Sequence, residues 1–200
     1  MGLAALVMAG GKATRMNCEI EKPMLRIGDR PMIAYVIEAL RSSILIERII
    51  VAVTADTPTT ANSVLKFGME IIETGGRGYE RDLREAVKRL GLGDVLVVSA
   101  DLPFLNLKIV DESIQEYLAR EKPSLMVATP VESYYGLGVK PSYVFELHHQ
   151  KLAPIGLNVI NGRMIDEQEL EETVLVTEDK DLAVNVNTPS DLELARKYFS

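Results

Sequence analysis

The stretch from Leu3 to Pro23 restricts this chain more than any other. A continuously apolar run, Leu3 to Met8, breaks into Ala9-Gly10-Gly11-Lys12-Ala13-Thr14-Arg15-Met16, and Glu21-Lys22-Pro23 follows closely. Two adjacent glycines let the backbone bend tightly and bring N–H groups against a ligand where a Cβ would intrude. Lys12, Arg15 and Lys22 add mobile positive charge above those amides, an arrangement suited to an anion with several oxygens. No Gly-Lys-Ser/Thr closes a P-loop after Gly10, and no G-x-G-x-x-G occurs, so two better-known phosphate motifs are excluded. The plainer alternative is a glycine turn at a strand end with incidental solvated cations.

A chain of 200 residues fits one domain, residues 1–200, with a core that needs no disulfide. The single cysteine, Cys18, rules out an internal disulfide or a Cys-x-x-Cys site and fits a reducing, cytoplasmic setting. The opening apolar run is too short to span a bilayer and lacks a preceding basic stretch, so neither a membrane nor a secretory role is expected. A net charge of −7 argues against nucleic acid as the main partner.

The apolar pattern predicts strands over 3–8, 48–53, 70–73 and 94–99, alternating with helices over 31–40, 57–67, 79–90 and 107–120. That alternation calls for an α/β fold: a mostly parallel, Rossmann-like sheet between helices, in three αβα layers. Beyond Ser124 the rhythm changes. A strand is expected over 125–129, then an irregular excursion around 131–154. Strand character resumes over 155–160 and again over 183–186, before a helix over 189–199.

In such sheets ligands sit beyond the carboxyl ends of the strands, where strand order reverses. The glycine loop is the first unusual feature expected there. The second, Thr74-Gly75-Gly76-Arg77-Gly78, could press backbone against a flat base or ribose, or be a plain turn before a helix. The third is Val98-Ser99-Ala100-Asp101-Leu102-Pro103. Asp101 could hold a hard divalent cation, Mg²⁺, bridging phosphate oxygens, or simply open the Leu102-Pro103 turn. Asn187 is placed to join Asp101 as a metal ligand, although Thr188, Pro189 and Asp191 form a helix cap that needs no such role.

His148 and His149 are adjacent in a polar stretch and offer no oriented general base. A phosphate nucleophile requires none. The chemistry that fits is nucleotidyl transfer, with amides, Lys12, Arg15, Lys22 and one metal stabilising the pentavalent phosphorus and the departing pyrophosphate. Tyr134, Tyr135, Val139 and Tyr143 read as core or subunit contact, or as an apolar platform for a large acceptor.

Leu6 to Met16 with Glu21-Lys22-Pro23 resembles the signature of GT-A-like nucleotidyltransferases, the group that includes sugar-phosphate nucleotidyltransferases and molybdenum cofactor guanylyltransferases. Gly76-Arg77-Gly78-Tyr79 with Asp82, Ser99 to Leu102, Leu152 to Val159 and Asn185 to Thr188 are similar to the archaeal adenosylcobinamide-phosphate guanylyltransferases. The resemblance implies transfer of GMP from GTP to a corrinoid phosphate, releasing pyrophosphate in cobalamin biosynthesis. Other guanylyl or cytidylyl transfers and a catalytically silent nucleotide binder are the alternatives. It further implies phosphate contacts from Met8, Ala9, Gly10, Gly11 and Lys12. Base and ribose contacts would come from Thr74, Gly76, Gly78, Tyr79 and Asp82, and further nucleotide contacts from Ser99, Gly156 and Asn158. A homodimer is compatible with the sequence. The chain departs from the broad family pattern at Ala13, where glycine or serine is usual, and at Asn17-Cys18.

Overall fold

The computed structural model describes residues 2–11, 16 and 19–199. Lys12, Ala13, Arg15 and Cys18 lie outside the described residues, and so do the contacts expected of the first two cations.

The first strand, β1 (Leu3–Met8), is apolar throughout because the sheet continues on both of its edges. After the glycine loop come a 3₁₀ turn at Lys22–Met24 and a two-strand ribbon, β2 (Arg26–Ile27) with β3 (Arg30–Pro31). Next are α1 (Met32–Arg41), β4 (Ile46–Val53), α2 (Pro58–Lys66), β5 (Glu70–Glu73), α3 (Tyr79–Leu90), β6 (Asp94–Ser99) and α4 (Leu107–Ala119). The remainder holds β7 (Ser124–Pro130), α5 (Val131–Gly136), β8 (Phe145–Leu147), β9 (Gln150–Asn161), β10 (Glu172–Val176) and α6 (Pro189–Tyr198).

The main sheet runs β10-β7-β9-β6-β1-β4-β5, with β8 paired to β9. β6, β1, β4 and β5 are mutually parallel, as the alternating pattern requires, and β10 lies parallel to β7. β9 alone enters antiparallel, between β6 and β7. A parallel return needs a long crossover, whereas residues 131–149 hold only α5 and the β8 hairpin arm, so the chain comes back in the opposite sense. The expected irregular excursion is therefore ordered. At its tip, His148 and His149 both adopt positive φ and close the β8–β9 hairpin.

The layers are lopsided. Helices α1, α2 and α4 bury Ile33, Val36, Leu40, Val64, Ile109 and Ile114 against one sheet face. On the other face α3 supplies Leu83, Ala86 and Val87 against Leu6, Ile50, Val95 and Val97. The apolar 183–186 segment is not a sheet strand. It follows a 3₁₀ turn, Lys180–Ala183, and buries Val184 and Val186 with Met16, Ile27 and Met32 and with Leu192 and Ala195 of α6. Packing beneath a helix makes such a run as apolar as sheet burial does. β10, whose four apolar-compatible residues sit among acids, went unmarked in the sequence pattern. No helix among the described residues is long and apolar enough to cross a membrane.

Candidate active site

β1 leads into β4 and then β5 on one side, and the chain afterwards crosses back to β6 on the other. Strand order reverses at β1, and the carboxyl ends of β1, β4, β5 and β6 open into one cleft of about 420 Å³. Met8, Ala9, Gly10, Gly11, Lys22, Thr74, Gly76, Gly78, Tyr79, Asp82, Ser99, Asp101 and Asn187 all line it.

The glycine loop owes its shape to a neighbour. A Cβ on Gly10 would fall 2.6 Å from Thr54 Cγ2, and Gly11 takes φ +130°. Gly76, at φ +64°, packs on the same threonine from the opposite wall, with its Cβ position 3.7 Å away. Thr54 is buried and rigid. Its amide donates to Thr57 Oγ1 at 3.0 Å, and that hydroxyl donates back to the Thr54 carbonyl at 3.2 Å.

Glu21 fixes the base of the second motif. Its carboxylate accepts from the amides of Thr59 and Thr60, at 2.7 and 2.6 Å, and from the Thr60 hydroxyl at 2.6 Å. These amides open α2, whose own N-cap residue, Thr57, makes no side-chain cap bond. Glu21 thus caps the helix from outside. Burial raises its carboxyl pKa, but the threonine hydrogen bonds outweigh that and hold it below the ordinary value.

The next residue reaches into the cleft. Lys22 Nζ donates to Asp101 Oδ2 at 2.5 Å and to Asn187 Oδ1 at 2.9 Å, with the Lys22 and Asp101 side chains only 18% and 17% exposed. Asn187 comes to this position without a strand to carry it. The Val186 amide donates to the Asp101 carbonyl at 3.1 Å, and Asp191 Oδ2 accepts from the amides of Asn187 and Thr188. Thr188 and Asp191 complete a capping box with Pro189 in the first turn.

Asp101 Oδ1 is buried with no hydrogen-bond partner among the described residues. A carboxylate with one orphan oxygen, beside an amide oxygen, is a donor set that suits a hard divalent cation. No cluster of three or more His, Cys, Asp or Glu exists among the described residues. A cation held by Asp101 and Asn187 would take its other oxygens from substrate and water.

The opposite wall is the second glycine loop. Thr74 Oγ1 donates to the Val53 carbonyl at 3.2 Å, and Asp82 Oδ1 accepts from the Arg77 amide at 3.1 Å. Gly78, at φ +107°, caps α3, and Tyr79 opens it. Burial within the concave walls, and secondarily the Asp101 carboxylate, push the Tyr79 phenol up to about 12. The ring is nonetheless 46% exposed, because its free face is the cleft itself.

Gly156 and Asn158 are not part of that lining. Both lie on β9, Asn158 opposite Val97 of β6, and Gly156 at φ +90° leaves only 3.3 Å between a would-be Cβ and Ser99 Cβ. Gly156 therefore stands beside Ser99 on the neighbouring strand of the same sheet. The sequence does not single out Asp56, which lines the cleft beyond β4, nor the capping role of Glu21, whose partners are far along the chain. Asp56 carries the same signal as Asp101, an acid just past a buried strand. The tyrosines expected as one group divide: Tyr134 and Val139 are buried around α5, while Tyr135 and Tyr143 are 66% and 63% exposed.

A mostly parallel sheet with glycine loops and an acid–lysine pair at its switch point defines a nucleotide-handling transferase, and the chain belongs to the MobA-like NTP transferase domain family, whose model matches residues 5–155. It is a nucleotidyltransferase, an enzyme acting on a nucleoside triphosphate and a phosphate-bearing acceptor. The adenosylcobinamide-phosphate guanylyltransferase of Methanocaldococcus jannaschii is 35% identical over 96% of this chain and 94% of its own length. A probable molybdenum cofactor guanylyltransferase of Natranaerobius thermophilus is 26% identical over 98% and 96%. The solved structure of a CMP:2-keto-3-deoxy-manno-octonic acid synthetase complexed with CTP shares the fold, with a TM-score of 0.74 at 15% identity over 99% of this chain and 98% of that one.

Proposed function

We propose that this protein transfers GMP from GTP to the phosphate of adenosylcobinamide phosphate, with Mg²⁺ and release of pyrophosphate. The observation that carries the reading is identity of 35% to the Methanocaldococcus enzyme along nearly the whole of both chains. An oxygen of the acceptor phosphate attacks the α-phosphorus of GTP; the bond from that phosphorus to the β-phosphate bridging oxygen breaks, and pyrophosphate leaves with the electron pair. The acceptor is already anionic, so no general base is required.

In this reading the amides of Ala9 to Gly11 cradle the triphosphate, and Lys22 stabilises charge on the phosphates. The second glycine loop and Tyr79 flank the nucleoside, with Thr74 and Asp82 holding that loop in shape. Ser99 contacts the nucleotide from the cleft wall, and Gly156 and Asn158 of β9, outside the lining, support that wall from the neighbouring strand. Asp101 and Asn187 would hold Mg²⁺, which supplies charge neutralisation between the reacting phosphates. Lys12 and Arg15 add cationic contacts to the same tail.

The test is pyrophosphate release from GTP and Mg²⁺ with adenosylcobinamide phosphate as acceptor. Release with molybdopterin in place of the corrinoid, and none with the corrinoid, would move the assignment to the molybdenum branch, the activity named for the Natranaerobius relative.

A further inference from the structure

Asp101 carries a negative charge in a site that is only 17% open to solvent, and a carboxylate so placed requires a cation. In this structure that cation is Lys22. Its ammonium sits between Asp101 Oδ2 and Asn187 Oδ1, at 2.5 and 2.9 Å, so it holds the amide oxygen of the divalent donor set and stands beside the other member, Asp101 Oδ1. A divalent ion on Asp101 Oδ1 and Asn187 Oδ1 would meet the charge of that ammonium and compete with it for the Asn187 oxygen. We propose that Lys22 is a resident counter-cation that guards the metal position, so that a divalent ion enters with the triphosphate and not ahead of it.

The exchange needs no movement of the loop that bears Lys22. Glu21 is pinned to three donors of α2, and Lys22 begins a 3₁₀ turn with Pro23 buried at its second position. The backbone on either side is therefore held. What remains is rotation of a four-carbon side chain, from the carboxylate to the phosphates lying over the glycine loop. The metal–triphosphate complex offers Lys22 a new anion as it takes the old one, so the ammonium is paired before and after. A divalent ion arriving alone offers no such replacement and would leave a half-buried lysine beside a second positive charge.

This inference rests on the metal role of Asp101 in the proposed reaction, yet its test uses neither GTP nor acceptor at the first stage. Mn²⁺ is titrated into the nucleotide-free full chain and followed by water-proton relaxation. Lys22→Met, and Lys22→Gln as a second variant, are expected to bind Mn²⁺ about tenfold or more tightly than the unaltered protein, the scale set by loss of a partly buried ion pair. Adding Asp101→Asn to Lys22→Met should remove the gain. Arg77→Gln, which deletes a cation from the opposite loop, should change affinity less than about threefold, as expected of a screened charge.

Equal Mn²⁺ affinity in the unaltered protein and both Lys22 variants overturns the proposal, as does a gain that survives Asp101→Asn or is matched by Arg77→Gln. A second readout needs no substitution. In ¹⁵N-lysine spectra the Lys22 ammonium held by Asp101 should persist in millimolar Mg²⁺ and shift only when GTP is added with it. Loss of that signal on Mg²⁺ alone overturns the proposal too. A wrong acceptor assignment would leave every one of these results unchanged.

Discussion

Lys22 Nζ and Asp101 Oδ2 lie 2.5 Å apart although 79 residues separate them in the chain. One comes from the loop after β1, the other from the carboxyl end of β6, and the parallel pairing of those two strands aligns them. Their contact is the point where the basic and acidic halves of the cleft meet.

Removing the acid should separate catalysis from binding. Asp101→Asn is expected to lower single-turnover product formation by about 100-fold or more, the scale of losing one preorganised electrostatic contact to the reacting phosphates. Equilibrium dialysis should find GTP binding reduced far less. Turnover unchanged by the substitution would remove Asp101 from the metal site.

Asn187 and its neighbour Thr188 should behave differently despite their adjacency. Thr188→Ala breaks the capping box and should cost about 1 kcal/mol in urea unfolding while turnover of the folded enzyme is little altered. Asn187→Ala, which leaves that box in place, should reduce turnover with a smaller effect on the unfolding midpoint.

The glycine at position 10 is set by contact as well as by backbone freedom. Gly10→Ala should destabilise the protein by roughly 1–3 kcal/mol, because its Cβ meets Thr54 Cγ2 at 2.6 Å. Thr54→Ser removes that methyl. The double variant should recover part of both stability and GTP affinity, measured by thermal shift with and without nucleotide.

Acid should loosen the Glu21 anchor. Its folded pKa lies below the ordinary carboxyl value of 4.5, so its contribution is full above that value and disappears as pH falls through the folded one. Glu21→Gln should therefore lower the unfolding midpoint at neutral pH by an amount typical of a lost cap, about 1 kcal/mol, and the difference from the unaltered protein should shrink in acid.

At the alkaline end the phenols act in the opposite sense. Burial raises Tyr79 and Tyr134 to about 12, above the ordinary value of 10.0. Their neutral forms favour the folded state fully below pH 10, and that advantage is lost as pH rises toward 12. Phenolate absorbance near 295 nm should lag behind that of the urea-unfolded chain. Tyr79→Phe should remove one phenol from the lagging fraction.

The convergence of the first strand's end, both glycine loops and Asp101 on one cleft was legible because each needs a particular backbone shape or charge at a strand end. The alternation of strands and helices up to residue 120 was legible for the same reason, since buried parallel strands and amphipathic helices repeat with different periods. Glu21 was quoted as part of a motif, but its function as a cap was hidden, because the amides it holds are 38 and 39 residues away. The antiparallel sense of β9 and the loop nature of 183–186 were equally hidden. Apolar runs report burial, and burial under α6 and burial in the sheet leave the same trace.

A backbone bond from the Val186 amide to the Asp101 carbonyl ties the seat of the Lys22 ammonium to the segment that precedes α6. The stretch matched by the family model stops at residue 155, short of β10, α6 and Asn187. A fragment trimmed to that stretch would keep both glycine loops and Asp101 yet lose Asn187, one of the two side chains to which Lys22 donates. The seat of the Lys22 ammonium is thus completed by a segment outside the region by which the family is recognised.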